Sequence, residues 1–167
     1  LQDEDRAAAQ YHHAVHRLAV DGWHGYEISN WARPGHESRH NLAYWERRPY
    51  EAVGPGAHAF DGVTRRWNAA RLAGYLAALT PADGSPAVLP PGGSEDLGDA
   101  TVAAERVILG LRTSRGIPLS AAHEAPLADA FGWAIATERV DVTTDDRIVL
   151  TTRGRLLSNE LFSRLIG

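Results

Sequence analysis

A chain of 167 residues with 44% hydrophobic and 23% charged residues has the profile of a soluble globular protein, built as one domain or two small ones. Its formal net charge of −4 gives no support to a generally basic nucleic-acid surface, and no apolar run approaches the roughly 18 residues that span a bilayer. Cysteine is absent, which removes disulfides, thiolate catalysis and a cysteine-held iron–sulfur cluster from what these residues can supply. Methionine is absent too, and Leu1–Asp5 reads as the entry to a helix and not as a signal peptide. The expectation is a soluble, cytoplasmic piece of a longer protein whose earlier part lies outside this sequence.

In chain order, Glu4 to Val20 places Ala7, Ala8, Tyr11, Val15, Leu18 and Ala19 on one helical face, closed by Asp21-Gly22. Trp23 to Ser29 is expected as a buried strand with Tyr26 and Ile28 on one side. Helix, glycine turn and strand in that order suggest an α/β unit. Asn30 to Val53 lacks periodicity and reads as a long connection that its tryptophans keep from being disordered. Ala57–Phe60 and Val63–Trp67 flank Asp61-Gly62, a hairpin signal. Asn68 is placed to cap a helix over Ala69–Leu79, which Thr80-Pro81 stops.

The Pro- and Gly-rich run from Ala82 to Gly93 is the expected boundary, dividing the chain into residues 1–93 and 94–167. Beyond it, Ser94 with Glu95 and Asp96 is expected to start a helix carrying Leu97, Val102, Val107, Ile108 and Leu111. Short helices follow over Leu119–His123 and Pro126–Ala136. Val140–Val142 and Ile148–Leu150 flank Asp145-Asp146 as a second hairpin, and Thr151 or Thr152 caps a closing helix with Leu156, Leu157, Leu161, Phe162, Leu165 and Ile166. Helices, a two-stranded wing and a closing helix suggest a winged-helix module.

The stretch from Tyr26 to Asn68 concentrates histidine, tryptophan and arginine in sequence of little periodicity. Cavities that bind a flat, anionic, partly apolar ligand need that mixture of aromatic walls and arginine hooks. Every basic residue is arginine, whose planar fork suits carboxylates. Several alternatives stand open. His40 is either a ligand or a hydrogen-bonding loop residue; His36 and His58 are alternative ligands. His12 and His16 have the spacing of a helical metal pair but no evident third ligand. Glu27 ends a strand, where barrel sites are built, and either contacts a cofactor or pairs with an arginine such as Arg33. Gly54-Pro55-Gly56-Ala57 is a cofactor cradle or a structural turn. Arg65, Arg66 and Asn68 face a cavity or blunt a hairpin edge.

At His40-Asn41-Leu42-Ala43-Tyr44-Trp45 the sequence resembles a known family. This HNxxYW signature, preceded by YEISN-x-A-x-PG from Tyr26 and followed by the GxGA element at Gly54 and R-x-N at Arg66, looks like the HemW family. These are heme chaperones related to the oxygen-independent coproporphyrinogen III oxidases of the radical S-adenosylmethionine superfamily. GLRTSRGIPL from Gly110 and LTTRGRLLSNELF from Leu150 resemble the same family, so the likeness covers nearly the whole chain. It implies an α/β (α+β) fold: residues 1–93 as the end of a partial (β/α) barrel with a hairpin extension, and 94–167 as a small winged-helix-like domain.

The resemblance also implies heme as ligand, with His40 as axial ligand of its iron and Asn41, Tyr44, Trp45 and Arg39 around it. Arg39, Arg47 and Arg48 are near enough in sequence to pair with the propionates. Glu27, Gly54, Gly56 and Ala57 would face S-adenosylmethionine, and the [4Fe–4S] cluster would be ligated upstream. Heme-acceptor proteins, at a membrane or away from it, and a second copy of the chain are the partners this reading allows. Two other functions compete. One is a coproporphyrinogen III oxidase-like radical enzyme, favoured by the shared barrel and disfavoured by HNxxYW. The other is nucleic-acid binding by the winged-helix module, disfavoured because its arginines are interspersed with acids.

Overall fold

The computed structural model describes residues 3–123 and 127–166; the expectations that rest on Leu1, Gln2 and Pro126 lie outside them. The first helix, α1 (Glu4–Val20), follows Asp3, whose carboxylate accepts from the backbone N–H of Asp5 and Arg6. That satisfies donors a helix start leaves orphaned. Gly22 ends it with φ of 80°. The expected strand over Trp23–Ser29 shortens to β1 (His24–Gly25), paired antiparallel with β2 (Trp31–Ala32). Tyr26 and Glu27 are both buried, so the alternation that marks a half-buried strand is broken there.

The connection after β2 is not irregular: Arg39–Trp45 forms α2. The hairpin at Asp61-Gly62 is present as β3 (His58–Phe60) and β4 (Thr64–Trp67), with Phe60 opposite Arg65. The Asp61 carboxylate accepts from the N–H groups of Val63 and Thr64 at 2.8 Å. Those donors, Thr64 first, hold the Asp61 carboxyl below its ordinary pKa. Two expectations fail next to it. Asn68 caps no helix; its side-chain amide is 1% exposed and donates to the carbonyls of Ala52 and Gly54, and α3 runs over Leu72–Leu79 without a side-chain cap. Ser94-Glu95-Asp96 starts no helix either. It lies in β5 (Gly93–Asp96), because Arg65 and Thr64 on β4 supply partners for Glu95 and Asp96, and α4 begins at Asp99 (Asp99–Arg112).

The remaining elements follow the expected order. Strand β6 (Ile117–Pro118), a 3-10 turn (Leu119–His123), α5 (Leu127–Ala136), β7 (Val140–Val142) and β8 (Arg147–Leu150) lead to α6 (Thr152–Leu156) and α7 (Ser158–Ile166). The wing gains a third strand, in the order β6-β8-β7. The closing helix is split at Leu157, although Thr151 caps it as expected, accepting from Gly154 N–H.

Packing groups the residues into two units, 1–46 with 103–167, and 47–102. That grouping cuts across the sequence division at residue 93, and main-chain bonds explain why. Glu27 bridges Thr113, Ser114 N–H donates to Tyr26 O at 2.9 Å, and Arg155 donates to Glu27 O at 3.0 Å. The first unit has the larger core, with Leu111, Phe131, Ala134, Ile148 and Leu161 essentially inaccessible and Ile28 packed against them. The second centres on the β3-β4-β5 sheet, where Ala59, Phe60 and Asn68 are buried.

Two glycines separate steric demand from backbone demand. A Cβ at Gly116 (φ 63°) would stand 1.9 Å from Ile148 O, whereas one at Gly22 (φ 80°) meets nothing within 4 Å. Gly116→Ala is expected to cost on the order of 3 kcal/mol, and Gly22→Ala about 1 kcal/mol of left-handed strain. Urea unfolding of the two variants checks this; equal losses would contradict the assigned clash.

Candidate functional site

Ser38 sets the start of α2. Its backbone is extended (φ −63°, ψ 106°), its hydroxyl accepts from Asn41 N–H at 3.3 Å, and its carbonyl accepts from Leu42 N–H at 3.0 Å. The helix stops after two turns, where Arg47 takes a positive φ of 52° and Pro49 follows. Seven residues are too few to hold a helix in water alone, so tertiary contacts must supply the difference.

Those contacts divide the HNxxYW residues into two pairs spaced i, i+4. His40 and Tyr44 are exposed and touch edge to face, with ring centroids 4.9 Å apart and planes at 89°. Asn41 and Trp45, about 100° around the helix, are half-buried. Asn41 Nδ2 donates to the Tyr26 hydroxyl at 3.3 Å, and Tyr26 is 5% exposed. The Trp45 ring lies under the Arg112 guanidinium, whose carbon is 4.9 Å from its centroid and 5.7 Å from that of Phe162. HNxxYW therefore presents an imidazole and a phenol outward while an amide and an indole hold the helix down. Arg39, at the helix start, is exposed.

Beside this helix, Glu27 is fully buried. Its Oε1 accepts from Ser29 N–H (3.0 Å), Ser29 Oγ (3.2 Å) and Asn30 Nδ2 (2.6 Å), while Oε2 has no hydrogen-bond partner. Arg155 engages the main-chain oxygens of Gly25 and Glu27. Tyr11 closes the group by donating to Ile28 O at 3.1 Å. Burial pushes the Tyr11 phenol up, against the lowering effect of Arg155.

The remaining predicted residues lie in the second unit or at exposed positions of the first. Gly54 and Gly56 have φ of 103° and 67°, so the turn needs glycine. Its N–H groups are committed internally: Gly54 to the Tyr75 hydroxyl, Gly56 to Ala69 O, Ala57 to Gly54 O. Arg65 pairs with Glu95 at 2.8 Å, Arg66 pairs with Glu51, and Arg47 stacks on Phe60 at 4.9 Å. His58 lies beside Trp67. His36, His12, His13 and His16 are exposed, and among the described residues no group of three or more His, Asp or Glu could hold a metal ion. Nor is any helix among them long and apolar enough to cross a membrane.

Tyr26, Arg112 and Phe162 are the site contacts that sequence reasoning missed. Tyr26 opens the YEISN signature and Arg112 sits in GLRTSRGIPL, so a signal existed, but spacing along a chain does not say which motifs touch.

Comparison with known proteins agrees with this architecture. The chain is 40% identical over 167 residues to a protein of Mycobacterium tuberculosis named heme chaperone HemW, covering 99% of this chain and 40% of that protein. It is 27% identical over 178 residues to the Bacillus subtilis protein of the same name, covering all of this chain and 44% of that one. The chain thus spans less than half the length of these relatives. No family model matches it. Among solved structures, the Escherichia coli coproporphyrinogen III oxidase HemN, described as a radical SAM enzyme, superposes with a TM-score of 0.65 over 92% of this chain and 39% of that one, at 16% identity. The fold is accordingly a mixed α/β one shared with part of that enzyme.

Glu27 gives a prediction independent of any ligand. Glu27→Ala leaves its donors without an acceptor and is expected to cost about 2–3 kcal/mol, whereas Glu27→Gln keeps one acceptor oxygen and costs less. Thermal unfolding distinguishes the two; equal losses would show that the charge and not the acceptor matters.

Proposed function

We propose that this chain, a homologue along almost its whole length of the proteins named heme chaperone HemW, binds heme on the outward face of α2 and contributes to its delivery to an acceptor protein. The observation that carries the reading is the exposed His40/Tyr44 pair on a helix anchored from its other side. An imidazole in that position reaches an iron centre without unfolding its support, and imidazole nitrogen is an established axial ligand of heme. Tyr44 offers ring surface to a porphyrin, and Arg39 a guanidinium for a propionate. Asn41 and Trp45 support the site by holding α2.

Heme is cargo in this reading, bound and passed on with no bond made or broken in it. Expected cofactors of a complete protein fit these residues unequally. With no cysteine in the chain, a [4Fe–4S] cluster would have to be held by residues outside it. For S-adenosylmethionine, Glu27 keeps a buried oxygen that suits a hydrogen-bond donor. The Gly54–Ala57 turn does not fit, because its N–H groups are already engaged. A cytoplasmic site of action belongs to the same proposal.

Titrating hemin into the full chain tests the assignment. Saturable growth of a Soret band is expected, with affinity falling at least about tenfold in His40→Ala, about 1.4 kcal/mol, and little changed in His36→Ala or His58→Ala. Identical titrations of the wild type and His40→Ala would remove His40 as ligand. The likeness to HemN favours a second reading, in which the complete protein oxidatively decarboxylates coproporphyrinogen III. Substantial protoporphyrinogen formation by the complete protein, with reduced cluster and S-adenosylmethionine, would favour it over the chaperone.

A further inference from the structure

We infer that Arg112, at the end of α4, is a positioning residue for the His40/Tyr44 face of α2, acting through Trp45. The inference rests on the reading of His40 as a heme ligand and names what sets that ligand's presentation.

A helix of two turns must be held at both ends. Ser38 holds the first turn through its cap. The last turn contains no buried residue, and two of its contacts bear on its position. One is the Glu46–Arg115 ion pair at 4.0 Å, with the Arg115 side chain 76% exposed; such exposed pairs contribute little. The other is Trp45 under Arg112, with Phe162 of α7 on the same guanidinium.

Trp45 Nε1 and Arg112 Nε are both buried without a hydrogen-bond partner among the described residues. Neither group is fixed there by a hydrogen bond from those nitrogens. The attraction of a cation to aromatic faces, strengthened where water is excluded, holds the stack. Asn41, tied to Tyr26, then acts as a pivot and Trp45 as the lever end. Releasing Trp45 lets α2 rotate about Asn41 and changes the direction in which His40 points. Arg112 meets α2 at Trp45, about 100° around the helix from Tyr44, so its influence on heme passes through geometry and not through contact.

The experiment uses the full chain and hemin as probe, reading affinity, the position and width of the ferric Soret band at saturation, and the thermal melt. Arg112→Gln is expected to weaken hemin binding about tenfold and to broaden or shift the saturated Soret band. Arg112→Lys, which keeps the cation but not the planar guanidinium, is expected to restore part of both. A wild-type affinity and spectrum for Arg112→Gln, alongside loss of binding in His40→Ala, overturns the positioning role and leaves His40 as ligand. Unchanged binding in His40→Ala overturns the heme reading and this inference with it. If Arg112→Gln fails to fold, Phe162→Leu removes one wall of the stack while keeping the arginine. A broadened or shifted Soret band at saturation then supports the inference, and an unaltered spectrum overturns it.

Discussion

Arg155 holds the first unit of this protein together. Its guanidinium, delivered by α6, reaches back across more than a hundred residues to the carbonyls of Gly25 and Glu27. Gly25 ends a two-residue strand and Glu27 lies two residues beyond it, and a buried carbonyl left unpaired there would be costly. Beside it, Glu27 bridges Thr113 and Ser114 closes onto Tyr26. The segment Gly25–Glu27 is therefore bound on one side by its own neighbours and on the other by the last third of the chain. A Cβ at Gly25 would stand 2.8 Å from the Arg155 guanidinium, so any side chain there would make that guanidinium shift.

Everything around α2 depends on that joint. Tyr26 provides the hydroxyl that holds Asn41, and it is buried because the joint buries it. Thr113 and Ser114, which close the joint, follow Arg112 directly, so the chain that pins the strand also brings the guanidinium over Trp45. Helix α2 thus receives both restraints from one piece of architecture. His40 and Tyr44 stay exposed on the other side, where a ligand could reach them.

What the sequence disclosed follows from what periodicity and turn chemistry can carry. Helices α1 and α5 and both hairpins were legible because each depends on local patterns: the Asp3 cap, apolar spacing, Asp61-Gly62, and the Asp145-Asp146 turn. Helix α2 was not, because two turns give no measurable period. Its one local signal, Ser38 three residues before Asn41, is too common to stand alone. Ser94-Glu95-Asp96 resembled a helix start and became a strand because β4 offered Thr64 and Arg65 opposite it. Asn68 resembled a cap and became a buried clamp on Ala52 and Gly54. In each case a tertiary partner outbid a local preference, and that partner was distant in the chain. The same limit applied at the site: HNxxYW was recognisable as a motif, whereas its division into an outward and an inward pair required coordinates.

Arginine abundance shows how such division alters a functional argument. Seventeen arginines and no lysine invite the view that any arginine near His40 awaits a carboxylate. Many are already engaged. Arg139 and Arg164 sandwich Trp133, with Arg139 also paired to Glu160 at 2.6 Å. Arg33 lies over Trp23, Arg47 over Phe60 and Arg112 over Trp45. Arginine stacks well because its guanidinium is planar and weakly hydrated, so a chain without lysine uses it as a core and surface adhesive as well as a charge. Discounting these, Arg39 is the stronger propionate partner than Arg47: it is exposed and shares the short helix with His40, whereas moving Arg47 to a ligand would cost its contact with Phe60. An electrostatic case for an anionic ligand is therefore carried by the position of one guanidinium and not by the total.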